Sequence, residues 1–123
     1  MILGLGTDIV EISRIKKALE NENFKKRVYT AEEIAEAEKK GVGKYFTYAG
    51  KFSAKEAISK AFGTGVRGFS LTDIEIVSDT LGKPYVNFKG NLIEKMSGKS
   101  VEISISHCKE YATAVAILMR GEN

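Results

Sequence analysis

The sequence predicts an α+β fold: a single domain over residues 1–123, with a mainly antiparallel sheet packed against helices. Three observations carry this expectation. The first half of the chain spaces its apolar residues helically. Beyond Gly68 the pattern changes to short alternating or wholly apolar runs punctuated by Gly and one Pro. No linker, internal repeat or low-complexity tract divides the 123 residues, enough chain to bury roughly two-thirds of its unfolded surface in one core. The expected order is β-α-α-α-β-β-α-β-β.

Residues 2–7 alternate weakly and carry Gly4 and Gly6, which predicts a short buried strand approached closely by another backbone, with Asp8 at its end. A helix follows from about Ile12 to Glu20, with Ile12, Ile15 and Leu19 turned inward. Its outer face shows Arg14, Lys16 and Lys17, and the next segment adds Lys25, Lys26 and Arg27. These six cations face only Glu20 and Glu22. The surface reads either as a solvated face or as a dock for an acidic macromolecule. Thr30 and Glu33 have capping-box spacing and start a helix expected to stop at Gly41. A further helix starts near Tyr45 and ends in the turn Gly63-Thr64-Gly65, with Gly63 placed where φ > 0 costs little.

Ile74–Val77 and Tyr85–Phe88 read as two strands of a hairpin around the turn Leu81-Gly82-Lys83-Pro84. Residues 91–96 suit a short helix ended by Gly98. Val101–Ser106 alternates as a strand with one wet face, closed by His107. Residues 112–118 are nearly all apolar and predict a central strand buried on both faces.

Composition narrows the function. The chain is 43% apolar and 28% charged, with a net charge of +3, a weak pull towards anionic partners and too sparse for a nucleic-acid binder. One Cys and one His exclude an intrachain disulfide and a structural zinc site within one chain, so any metal is a hard cation on carboxylates. Asp8 interrupts the first apolar run too early for a signal peptide, and no run approaches the ~18 apolar residues of a membrane span. These features predict a cytoplasmic protein.

Few residues can carry chemistry. Glu56 and Lys60 share a helix face one turn apart, as a surface ion pair or as a carboxylate and amine facing a ligand. Asp8 either caps the following helix or joins Glu56 around Mg²⁺, which takes one or two carboxylates with water and phosphate oxygens. Lys60 supplies a point charge for phosphate. His107 is a structural strand-end histidine or a ligand contact, and Cys108 reads as a small buried residue because nothing marks a stabilised thiolate.

Taken together, the segments resemble one family, the holo-acyl-carrier-protein synthases, the small bacterial class of 4′-phosphopantetheinyl transferases. The resemblance is carried by Gly4-Leu5-Gly6-Thr7-Asp8-Ile9-Val10-Glu11-Ile12 with Arg14, by Phe52-Ser53-Ala54-Lys55-Glu56-Ala57 and by Lys60-Ala61-Phe62-Gly63-Thr64-Gly65. It continues through Asp73-Ile74-Glu75-Ile76, Gly82-Lys83-Pro84, Ser104-Ile105-Ser106-His107 and Glu110-Tyr111-Ala112, and so spans essentially the whole chain.

It implies the fold of that family and the transfer of the phosphopantetheine arm of coenzyme A to a serine of apo-acyl carrier protein, in fatty acid biosynthesis. Adenosine 3′,5′-bisphosphate is released. By resemblance, Asp8 and Glu56 ligate Mg²⁺, and Lys60 contacts the coenzyme A phosphates. Lys44, Lys51 and His107 lie near the nucleotide, and Gly65, Gly82 and Pro84 border it. Arg14, Lys17 and Arg27 meet the acidic carrier. The family is implied to be a homotrimer with active sites at subunit interfaces, acting on neither nucleic acid nor membrane.

One departure stands out: Lys51 occupies a place where the resemblance leads one to expect Arg, keeping the charge but losing the bidentate fork. Glu56, through a water, is the nearest candidate to remove the serine proton. Two rival readings are the same chemistry on a carrier of polyketide or peptide synthesis, and a small basic binding module without turnover.

Overall fold

A computed structural model describes residues 1–121. The elements are β1 (Ile2–Glu11), α1 (Ile12–Ala18), α2 (Glu22–Val28), α3 (Ala31–Glu38), α4 (Lys44–Phe62), β2 (Ile74–Ser78), β3 (Pro84–Phe88), α5 (Leu92–Lys95), β4 (Lys99–His107) and β5 (Tyr111–Arg120). The expected α+β order holds with one helix added. α2 is seven residues long, too short to show a periodicity of its own, and is started by Asn21, whose side chain accepts from the Asn23 and Phe24 amides. α3 opens on the expected capping box, with Thr30 N donating to Glu33 Oε1 at 2.8 Å, but it stops at Glu38, before Gly41.

The strands are antiparallel and form two sheets, β1-β5-β4 and the hairpin β2-β3. β5 is central, as its apolar run predicts, but it is buried on one face only: Ala112, Ala114, Ala116 and Leu118 point into the core, while Thr113 is exposed and Val115 and Ile117 half-buried. β1 runs on through Asp8 to Glu11, so Asp8 lies within the strand opposite Ala114. β1 is also not the buried strand expected: Leu5 and Ile9 are 63% and 67% exposed. The outer face of the large sheet therefore carries Leu5, Thr7 and Ile9 beside Thr113, Val115 and Ile117.

Its inner face packs on α4. Ala54, Ala57, Ile58, Ala61 and Phe62 meet Ala114, Ala116 and Leu118, with Ile74, Ile76, Leu92 and Met96 closing the core from the hairpin side. A second cluster, around Ile12, Ile15, Val28, Tyr29, Tyr48 and Ala49, ties α1 and α2 to the start of α4. β1 comes so close to α4 that a Cβ at Gly4 would lie 2.0 Å from the Ala61 carbonyl oxygen, and one at Gly6 1.9 Å from that of Ala57. This is the close approach that the two glycines predict.

The free edge of β2 is covered by side chains. Glu33 and Glu36 on α3 pair with Lys55 and Lys51 on α4, at 2.8 and 2.9 Å. Glu33 accepts from Ile76 N and Glu36 from Ser78 N, while Lys55 donates to Ile74 O and Lys51 to Ile76 O. Two Glu–Lys rungs thus take the hydrogen bonds that a further strand would make. The Glu33–Lys55 rung is wholly inaccessible to solvent. Burial there lowers the Lys55 pKa, while Glu33 opposes the shift.

Two expected outcomes follow from this packing. Gly6→Ala drives a methyl group into backbone rather than into a movable side chain, and should cost at least about 1–3 kcal/mol in urea unfolding. Lys55→Met strands the Glu33 carboxylate in the core and should cost about 3–5 kcal/mol, much of it recovered in the Glu33→Gln/Lys55→Met double variant. A single-variant loss below about 1 kcal/mol would show that the rung is dispensable.

Candidate active site

The contact of β1 with α4 brings Asp8 onto α4. Asp8 Oδ1 accepts from Lys60 Nζ at 3.2 Å and Oδ2 from Ser53 Oγ at 3.2 Å, and its backbone carbonyl accepts from Thr113 Oγ1 at 2.7 Å. Lys60 also donates to Thr7 O at 3.0 Å. Lys60 thus pairs with Asp8, and among the described residues no Glu56–Lys60 ion pair forms.

Glu56 is half-buried, one turn before Lys60. Burial pushes its carboxyl above the ordinary carboxylate range, the nearby negative charge of Asp8 adds to the rise, and Lys60 opposes it. A half-buried carboxylate with a second one beside it fits a hard divalent cation. Among the described residues no group of three or more His, Cys, Asp or Glu side chains gathers to complete a metal shell. A cation there would rely on water and ligand oxygens for its other positions, the habit of Mg²⁺.

Other candidates gather elsewhere. A cleft of about 230 Å³ opens between α4, the β2–β3 hairpin and the end of β4, lined by Lys51, Gly82, Pro84 and His107 with Glu36, Phe46, Ser78 and Ile105 among others. The His107 ring stacks on Phe46 with centroids 4.8 Å apart. Lys51 is 4% exposed and held by Glu36. Burial raises the Glu36 pKa, but hydrogen bonds from Lys51 and Ser78 outweigh it and hold the carboxyl below the ordinary range. Lys44 stands at the start of α4, paired with Glu38 at 3.2 Å. Gly65 lies in the exposed turn that leaves α4, where Gly63 takes φ +58°.

The structure therefore brings Asp8, Glu56 and Lys60 together, and separately Lys51, Gly82, Pro84 and His107, without joining the two sets in one chain. At about 100° per residue, Glu56 and Lys60 project about 140° and 180° around α4 from Lys51. The two sets occupy opposite sides of one helix.

Arg14 and Lys17 are exposed on α1, and Arg27 borders an apolar recess of Phe24, Val28, Phe52 and Leu71. Lys25 is drawn to Glu38 at 3.8 Å. Cys108, expected to be buried, is exposed in the turn between β4 and β5, so its polar neighbours outweighed its size. Sequence reasoning passed over Ser53, Glu36 and Ser78. Ser53 lies on the helix face already singled out, whereas Glu36 and Ser78 reach the cleft through contacts that no local pattern signals.

A family model described as the 4′-phosphopantetheinyl transferase superfamily matches residues 4–116. The holo-[acyl-carrier-protein] synthase of Fusobacterium nucleatum is 54% identical over 123 residues, covering 97% of this chain and all of that protein. A holo-(acyl-carrier-protein) synthase from Bacillus anthracis, solved in complex with CoA (3′,5′-ADP), is 40% identical with a TM-score of 0.82, covering 98% of this chain and 99% of the other. The synthase from Neisseria meningitidis is 35% identical with a TM-score of 0.85, covering 98% and 100%.

The environment of Glu56 gives a testable cost. A carboxyl with a raised folded-state pKa favours the fold while protonated, and that contribution is lost as pH rises through the folded value. Glu56→Gln should therefore raise Tm at about pH 7, and the gain should vanish below the unfolded value of about 4.3. Thermal melts across that range check the sign, and a lower Tm at neutral pH would refute it.

Proposed function

The chain belongs to the 4′-phosphopantetheinyl transferase superfamily, and from that premise we propose that it transfers the phosphopantetheine arm of coenzyme A to a serine of apo-acyl carrier protein. The observation that carries the reading is the meeting of Asp8, Glu56 and Lys60 where β1 crosses α4. In the reaction the serine oxygen forms a bond to the β-phosphorus of coenzyme A. The pyrophosphate P–O bond breaks, adenosine 3′,5′-bisphosphate leaves, and the serine proton goes to a base.

Asp8 and Glu56 are assigned to Mg²⁺, which when bound neutralises charge on the pyrophosphate oxygens. Asp8 is held for that role by Ser53 and Lys60. The Lys60 side chain, 58% exposed, is free to turn from Asp8 to a phosphate oxygen. Glu56, with its raised pKa, is the nearest group to take the serine proton through a water. Positioning and charge neutralisation supply most of such a phosphoryl transfer.

The nucleotide is assigned to the cleft of Lys51, Gly82, Pro84 and His107, with Lys44 at its approach, and Gly65, just beyond Lys60, is assigned to border it from a neighbouring copy. Because that cleft and the carboxylates lie on opposite sides of α4, the two halves are assigned to neighbouring copies. The outer face of exposed Leu5 and Ile9 beside half-buried Val115 and Ile117 supports an oligomer, since a monomer would leave it in water, and we assign it to the homotrimer that the family resemblance implies. Arg14, Lys17 and Arg27 offer an acidic carrier a cationic surface with an apolar recess beside it. The fatty-acid carrier is favoured over those of polyketide or peptide synthesis because the chain has the single-domain size of its relatives. Among the described residues no helix is long and apolar enough to cross a membrane; the cytoplasm is assigned from the proposed partners, coenzyme A and a carrier protein.

Incubation with coenzyme A, Mg²⁺ and apo-carriers, followed by mass spectrometry, should show addition of the arm to a carrier serine. Asp8→Ala and His107→Ala should each lose most of this activity. Mixed after subunit exchange, the two inactive variants should recover about a quarter of it if the halves of each site come from different copies. No recovery in proven mixed oligomers would place the site within one chain. No transfer to any carrier would leave a binding module.

A further inference from the structure

The ionisable side chains on the cleft wall are Glu36, Lys51 and His107. Lys51 is the cation one would assign to a phosphate, yet its ammonium is already committed. It donates to Glu36 Oε1 at 2.9 Å and to the Ile76 carbonyl at 2.5 Å. Glu36 cannot follow it towards a ligand, because Ser78 holds the carboxylate by its amide at 3.0 Å and its hydroxyl at 3.1 Å. Turning Lys51 to an anion would deprive the edge of β2 of a donor and leave Glu36 unbalanced. A buried group left without its partner costs more than one new charged hydrogen bond returns. Lys44 and Lys60 differ: their side chains are 30% and 58% exposed and can move without opening the core.

We propose that Glu36 is a specificity-setting residue of the cleft: it holds the Lys51 ammonium on β2 and so withholds it from the phosphates of a bound nucleotide. The cleft then grips the nucleoside portion, and phosphate charge is met by Lys44 at its approach and by Lys60 of a neighbouring copy. This rests on the reading of the cleft as the coenzyme A site, and it makes Lys51 part of the cleft floor rather than an anion ligand.

The test compares adenosine 3′,5′-bisphosphate with adenosine 5′-monophosphate by calorimetry, and coenzyme A with dephospho-coenzyme A by KM. The Glu36→Gln/Lys51→Met double variant, which leaves no unpaired carboxylate on the cleft wall, should keep the preference for the extra phosphate within about twofold of wild type. Glu36→Gln frees the ammonium and should widen that preference by about tenfold, the worth of one charge-assisted hydrogen bond. The added preference should weaken with salt.

A collapse of the preference in the double variant would overturn the proposal, because Lys51 would then grip phosphate in the wild type. So would an equal loss of both ligands in Glu36→Gln, the mark of a purely structural residue. If Glu36→Gln alone does not fold, the double variant decides, because it removes both partners of the pair. Transfer of the arm by the wild-type protein reports separately on the reading beneath, because the nucleotide ratios require no turnover.

Discussion

The position of every candidate catalytic group depends on how closely β1 lies against α4. Gly4 and Gly6 leave no side chain between strand and helix, so the two backbones approach to a distance that any Cβ would block. On the same inner face of β1, two residues beyond Gly6, Asp8 then falls within reach of Ser53 and Lys60. A larger separation would put Asp8 out of hydrogen-bond range of the helix. The raised pKa of Glu56 is another consequence, because the strand brings a second negative charge to a half-buried carboxyl. Bringing like charges together in this way costs stability unless a positive group joins the pair.

The other side of α4 is organised by a different device. Glu33 and Glu36 lie three residues apart on α3, and Lys51 and Lys55 four apart on α4, so each helix presents two successive turns to the other. The resulting rungs satisfy the β2 edge as well as each other. Buried ion pairs seldom add much net stability over apolar packing, but each demands one geometry. Here that geometry locks the β2–β3 hairpin to two helices. The cleft beside Lys51 has its shape because this floor cannot shift.

α4 thus carries two sets of candidate groups and shields each from the other. Its middle is packed with Ala54, Ala57, Ile58 and Ala61, which leave no path through the core between the carboxylates and the cleft. A reaction that uses both must join them across a surface. The exposed apolar face of the large sheet is continuous with β1, the strand that bears Asp8. Assembly and chemistry are therefore linked through the same strand in the proposed function.

Local patterns determined a large share of this protein. The capping box at Thr30, the helical spacing through α4, the hairpin turn and the alternation of β4 each depend on neighbours a few residues apart, so the chain states them directly. The glycines of β1 announced a close backbone approach, and the whole-length motif set announced the family. Tertiary structure alone decided which charges meet. Glu56 and Lys60 have the spacing of an ion pair, yet Lys60 turns to Asp8, 52 residues away. Lys51 has the position of a phosphate ligand, yet Glu36 and the β2 carbonyl hold it. Charges attract whichever partner the packed backbone brings nearest, and that distance exists only once strand, helix and hairpin have come together.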